Sequence, residues 1–132
     1  MSKGTILVVD DELMICQTLV KLLGEADYQV DYRTVSPEGL EAVKNKQYDA
    51  VLLDIMMPQM DGIALLKEIK KIDPLLPIIM ITGVPSDETV NKAMIFGAYD
   101  YIAKPFGKEK IYFIIERAVS YRKVLVAAYK KQ

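Results

Sequence analysis

The chain has 132 residues, 52% of them hydrophobic and 27% charged, which suffices for one domain with a sizeable core and is too short for two ordinary ones. Seventeen basic against eighteen acidic side chains leave a net charge of −1, so no overall positive field would recruit nucleic acid or an anionic membrane. Histidine is absent, which excludes Ser-His-Asp and Cys-His nucleophiles and histidine-ligated zinc or iron.

In chain order, short apolar runs alternate with amphipathic segments. TILVVD (5–10) reads as a first strand, and Cys16, Leu19, Val20 and Leu23 then recur at helical spacing. The lone Cys16 on that stripe reads as a reduced core thiol. YQVDYR (28–33) is a more mixed strand and is expected at a sheet edge. Ser36-Pro37-Glu38 opens a second helix with a capping serine, a proline at the first helical position and an acid in the first turn. AVLLD (50–54) is a third strand, and Ile63, Leu66 and Ile69 mark a third helix. PIIMIT (77–82) is a fourth strand. Pro85-Ser86-Asp87-Glu88 opens a fourth helix with Val90, Ala93 and Met94 on one face and Gly97 as its stop; Met94 is expected in the core. YDYIAK (99–104) is the fifth strand, and the last helix runs from near Lys108 to about Tyr129.

Fivefold strand-helix alternation with nearly continuous apolar strands implies right-handed crossovers and a doubly wound α/β sandwich, its parallel sheet covered on both faces. The whole of 1–132 reads as one domain, with a core from about 4 to 121. Residues 122–132 read as an extension of the last helix and a linker toward an output domain. No apolar run approaches the ~20 residues of a membrane span, and MSKGTILVVDDE lacks the apolar core of a signal peptide. A soluble, cytoplasmic protein is expected.

In open α/β sheets ligands bind beyond the carboxyl ends of the strands. There the first strand ends in Asp10-Asp11, followed by Glu12; the third ends in Asp54, the fourth in Thr82, and the fifth in Lys104 before Pro105. Each alone has an ordinary reading as a helix cap, a turn hydroxyl or a solvated amine. Together they are harder to dismiss. Crowded carboxylates repel unless a cation lies among them, and oxygen ligands suit Mg2+. A lysine and a hydroxyl on the same rim match the oxygens of a phosphoryl group, and an aspartate beside a metal can act as a nucleophile toward phosphorus.

Through VVDDE, LLDIMMPQMDG, PIIMITG and GAYDYIAKPF, the chain closely resembles the receiver domain of bacterial two-component response regulators. ITGVPSDETVNKAMIFGAYDYIAKPF is similar to receivers of the nitrogen-regulation activator type. The resemblance implies a (βα)5 three-layer sandwich of flavodoxin-like receiver fold with strand order 2-1-3-4-5. It implies that Asp54 accepts a phosphoryl group from a phosphohistidine on a sensor histidine kinase. Asp11, Asp54 and the backbone carbonyl of Met56 would ligate Mg2+, with Asp10 acting mainly through bound water. Thr82 and Lys104 would contact phosphoryl oxygens, Tyr101 would be the switch aromatic, and Lys104-Pro105 would be a cis peptide. The output surface would be the fourth helix, fifth strand and fifth helix. The spacing of Ile114, Ala118, Tyr121, Leu125 and Ala128 forms a heptad-like stripe with three readings: a dimer seam, a helix running on into an output domain, or a well-covered last helix; a homodimer would use this stripe or the output face. Met56 and Val84 depart from the polar choices common in the family, so slow spontaneous dephosphorylation is expected.

Two other classes share parts of this pattern. A phosphohydrolase of the haloacid dehalogenase type would want a second acid where Met56 stands, and a flavodoxin would want a hydroxyl- or glycine-rich phosphate loop where Asp10-Asp11-Glu12 stands. A folded receiver that is never phosphorylated is the interaction-module alternative.

Overall fold

The computed structural model describes residues 2–58 and 60–130. Its elements follow one another as β1 (Gly4–Val9), α1 (Leu13–Glu25), β2 (Tyr28–Arg33), α2 (Ser36–Asn45), β3 (Ala50–Asp54), α3 (Gly62–Ile72), β4 (Ile78–Thr82), α4 (Asp87–Ile95), β5 (Asp100–Ala103) and α5 (Lys108–Lys130). All the strand pairings are parallel, in the order β2-β1-β3-β4-β5. The mixed sequence YQVDYR is therefore an edge, as its alternation predicts. Residues 131 and 132 of the expected linker lie outside the described residues.

Strand periodicity sorts the apolar side chains into two cores. Leu7, Val9, Val51, Leu53, Ile78 and Met80 pack with Ala42 and Val43 of α2 and Leu65, Leu66 and Ile69 of α3. Their sequence neighbours Ile6, Val8, Ala50, Leu52, Ile79 and Ile81 pack on the opposite face with Cys16, Leu19 and Leu23 of α1 and Ile111, Ile114, Ile115 and Ala118 of α5. β3 and β4 are buried along their whole length, so their last residues, Asp54 and Thr82, are held by strands that cannot shift without opening both cores. Cys16 is buried as expected, and burial, then the charge of Asp10, pushes its thiol up to about 11.

Helix ends follow the expected chemistry with one exception. Ser86 caps α4 by accepting from the Thr89 N–H, and Asp61 caps α3 by accepting from Ala64. Gly97 adopts φ 103° just past α4, the left-handed conformation that glycine tolerates best. The exception is α2: Val35 holds the cap position and Ser36 lies inside the first turn, making no cap bond.

One packing expectation changes. Met94 is 43% exposed and Ile95 79% exposed, because α4 presents only Ala93 fully to the core. The α5 stripe is buried at Ile114 and Ala118, exposed at Tyr121 and Ala128, and half-buried at Leu125 between them. Among the described residues no helix is long and apolar enough to cross a membrane.

Candidate functional site

The parallel register brings the strand ends together. Val9 lies opposite Leu53, Asp54 opposite Ile81, and Thr82 opposite Ala103. Asp10, Asp54, Thr82 and Lys104 consequently share one rim, although they come from four separate parts of the chain. Asp10 and Asp54 are 0% and 4% exposed, whereas Asp11 and Glu12 face solvent.

One ammonium organises this cluster. Lys104 Nζ lies 3.0 Å from Asp10 Oδ2, 3.2 Å from Glu12 Oε1 and 3.7 Å from Asp54 Oδ2. Burial works to lower the lysine's pKa, but Asp10, Asp54 and Glu12 outweigh it and raise the value. Asp54 moves the other way from a usual carboxylate. Burial first, then the charge of Asp10, pushes it up to about 7, with Lys104 and the Met56 N–H opposing. A carboxyl whose ionised form is this poorly matched by its surroundings gains from any added positive charge.

Local hydrogen bonds fix the acids. Asp10 Oδ1 accepts the Glu12 N–H at 2.9 Å, and Asp54 Oδ1 accepts the Met56 N–H at 3.2 Å. Asp10 Oδ2 is buried, and among the described residues its contact is the Lys104 ammonium at 3.0 Å, with no further hydrogen-bond partner. A buried anionic oxygen whose one cationic neighbour is shared with two other acids would gain from a hydrated cation. Asp10, Asp11 and Glu12 also place carboxylate oxygens within 4.8 Å of one another. The all-oxygen donor set thus fits a hard divalent ion such as Mg2+. Asp54 is not in that tight group but adjoins it through Lys104 and through the Asp11 carboxyl.

Thr82 is buried and its Oγ1 accepts the Val84 N–H at 3.1 Å. Lys104 is placed by its own N–H, which donates to the Thr82 carbonyl at 2.7 Å, and the Lys104–Pro105 peptide bond is cis. Tyr101 is 39% exposed on β5, so its ring lies at the surface. Met56 and Val84 are 71% and 78% exposed, which leaves two apolar side chains beside the acid and the hydroxyl.

Three features escape a motif reading. Glu12 is a direct partner of Lys104 across 92 residues. Gly62 is the first residue of α3, not simply a loop turn: an added Cβ would run into the Asp54 carbonyl oxygen and come within 2.6 Å of the Ile55 Cα. Its N–H donates to the Ile55 carbonyl at 2.8 Å, closing the segment after Asp54. Ser36 reaches the same segment from α2, its Oγ donating to the Met60 carbonyl at 2.6 Å. Nothing local in the sequence ties Gly62 to the Asp54 carbonyl or Ser36 to Met60.

The response regulator receiver domain family matches residues 6–116 of the chain. The chain belongs to this family. The receiver domain is 38% identical over 122 residues to the transcriptional regulatory protein ZraR of Escherichia coli O157:H7, covering 92% of this chain and 28% of ZraR. It is 39% identical over 121 residues to the DNA-binding transcriptional regulator NtrC of Escherichia coli K12, covering 92% of this chain and 26% of NtrC. A crystal structure of NtrX from Brucella abortus in complex with ADP superposes with a TM-score of 0.92 at 34% identity, covering all of this receiver and 30% of that chain. The receiver therefore spans little more than a quarter of the curated relatives it matches. The likeness to nitrogen-regulation activators extends across nearly its full length.

Proposed function

We propose that this receiver is a phosphorylation-dependent switch in which Asp54 takes a phosphoryl group from a phosphohistidine on a sensor histidine kinase. An Asp54 carboxylate oxygen forms the new bond to phosphorus, the phosphorus–nitrogen bond breaks, and the imidazole keeps the electron pair. Asp10, Asp11, Asp54 and the Met56 backbone carbonyl would hold Mg2+, whose chemistry is to neutralise charge on the transferring group. Lys104 is within reach of the acids already and would turn to phosphoryl oxygens as they arrive, with Thr82 donating its hydroxyl. The observation that carries this reading is the buried Asp54 carboxyl sharing a single ammonium with Asp10 and Glu12.

Phosphorylation places about two negative charges where the carboxylate had one. That local change becomes a signal by biasing Thr82, Tyr101 and the packing of α4. Exposure of Tyr101, Met94 and Ile95 supports an output face made of α4, β5 and α5. This face or the end of α5 would also join two copies. In a longer cytoplasmic regulator the output would be transcriptional, as the names of ZraR and NtrC indicate for those proteins. The domain itself turns over only its own phosphoryl group, and slowly, since Met56 and Val84 offer no polar group to orient an attacking water.

The test is incubation with Mg2+ and acetyl phosphate followed by intact mass. One added phosphoryl group, absent in Asp54→Ala, is the expected result; an unmodified wild-type protein or turnover of a phosphomonoester overturns the reading. Timing the decay of the adduct in Met56→Asn should show faster loss than in wild type, and an unchanged half-life would remove Met56 from that role.

A further inference from the structure

Ser36 is fully buried at the start of α2 and has no role in capping that helix. Its hydroxyl instead donates to the Met60 carbonyl at 2.6 Å and lies 3.6 Å from Met57 Sδ. Both partners belong to the segment that joins Asp54 to α3. That segment is closed at its base by the Gly62 N–H on the Ile55 carbonyl, and it touches the acid directly through the Met56 N–H on Asp54 Oδ1. Ser36 adds a tie from a different element.

The placement of α2 makes this tie possible. Gly39, one turn along from Ser36, packs so closely on β1 that an added Cβ would come within 2.9 Å of Val9 Cγ2. Val9 immediately precedes Asp10. The same strand end thus positions one acid of the rim and, through Gly39, the helix whose serine holds the loop beside the other acid. A hydroxyl is required for this and an apolar side chain would not serve, because Met60 is half-buried and its carbonyl loses this donor if the hydroxyl is removed. Helix stability gives no reason to keep serine there, since alanine is the better helix former.

We propose that Ser36 is a positioning residue for the phosphoacceptor: its hydroxyl straps Met60, with Met57 alongside, to α2 and presets Asp54 and the Met56 backbone before metal and phosphoryl group bind. The functional part rests on the switch reading above; the strap itself does not. The strap reduces the number of conformations the segment can sample, so binding has less ordering left to do.

The test compares wild type, Ser36→Ala and Ser36→Thr by amide hydrogen exchange of metal-free protein, by calorimetric titration with Mg2+, and by the rate of adduct formation from acetyl phosphate. In Ser36→Ala the amides between 55 and 62 should exchange about fivefold faster, the effect of losing one ordinary hydrogen bond. Mg2+ should bind several-fold more weakly and adduct formation should slow at limiting Mg2+, while the melting temperature stays near that of wild type. Ser36→Thr, which keeps the hydroxyl, should restore the slow exchange. Wild-type exchange and Mg2+ affinity in Ser36→Ala would overturn the proposal, as would faster exchange spread evenly over the molecule. Absence of an adduct in wild type would refute the switch while exchange still decides the strap.

Discussion

The two ends of the sheet handle charge in opposite ways. At the amino-terminal ends of the strands, Arg122 of α5 meets Asp73, just after α3, through two hydrogen bonds of 2.8 and 2.7 Å. Nearby, Asp31 accepts from both Lys46 Nζ at 2.8 Å and Tyr48 Oη at 2.7 Å. Asp73, Arg122, Lys46 and Tyr48 border an open cleft of about 830 Å3, where Asp49 also has a donor, the Thr5 N–H at 2.8 Å. At the carboxyl-terminal ends, one ammonium faces Asp10, Glu12 and Asp54, and Asp10 Oδ2 has no further hydrogen-bond partner. A satisfied ion pair holds elements together; an under-neutralised cluster leaves free energy to be gained from a ligand.

The largest effect on stability is expected at the satisfied end. Arg122→Ala leaves Asp73 half-buried without its guanidinium and should destabilise the fold by about 3 kcal/mol, measured by urea unfolding, with Mg2+ affinity unchanged. An altered Mg2+ affinity would break the separation between the two ends. At the other end, Lys104→Met removes the shared ammonium and should lower metal-free stability by about 2 kcal/mol. Here Mg2+ should recover more than it adds to wild type, for which saturation at a hundredfold excess over Kd contributes about 2.7 kcal/mol. Equal metal-induced shifts in the two proteins would show that the carboxylates are not short of positive charge.

The smallest effect concerns pH. The Lys46 hydrogen bond leads the causes that hold Asp31 below the usual carboxylate range, ahead of opposing burial and the Tyr48 hydroxyl. A depressed folded-state value contributes stability above the unfolded pKa of about 3.9, and that contribution is lost as pH falls through the lower folded value. Wild type should therefore lose up to about 1 kcal/mol more than Asp31→Asn between about pH 5 and pH 2, a modest figure because the pair is partly solvated. Parallel acid-unfolding curves would mean that Asp31 gains nothing from its partners.

Much of the fold was legible because burial writes a short-range pattern. β3 and β4 are apolar without interruption, β2 alternates, and Ser86 and Gly97 punctuate α4, each by local chemistry. Met94 was misplaced for a physical reason: helical spacing identifies a stripe but not how wide a stripe the neighbours cover, and α4 is covered only at Ala93. Ser36 was misread because the same local grammar that makes serine a cap says nothing of a carbonyl 24 residues away.

The sequence by itself determined the alternation of elements, the sheet's burial on two faces and the identity of the groups at the strand ends, since these depend on residue type and period. Family resemblance supplied the strand order. Only the tertiary structure decided how those groups meet: that Lys104 sits among Asp10, Glu12 and Asp54, that three acids share this one ammonium, and that Ser36 and Gly62 fix the segment behind Asp54. Such contacts join residues up to 92 positions apart, and their distances follow from how the packed helices and strands fit, which no local pattern encodes.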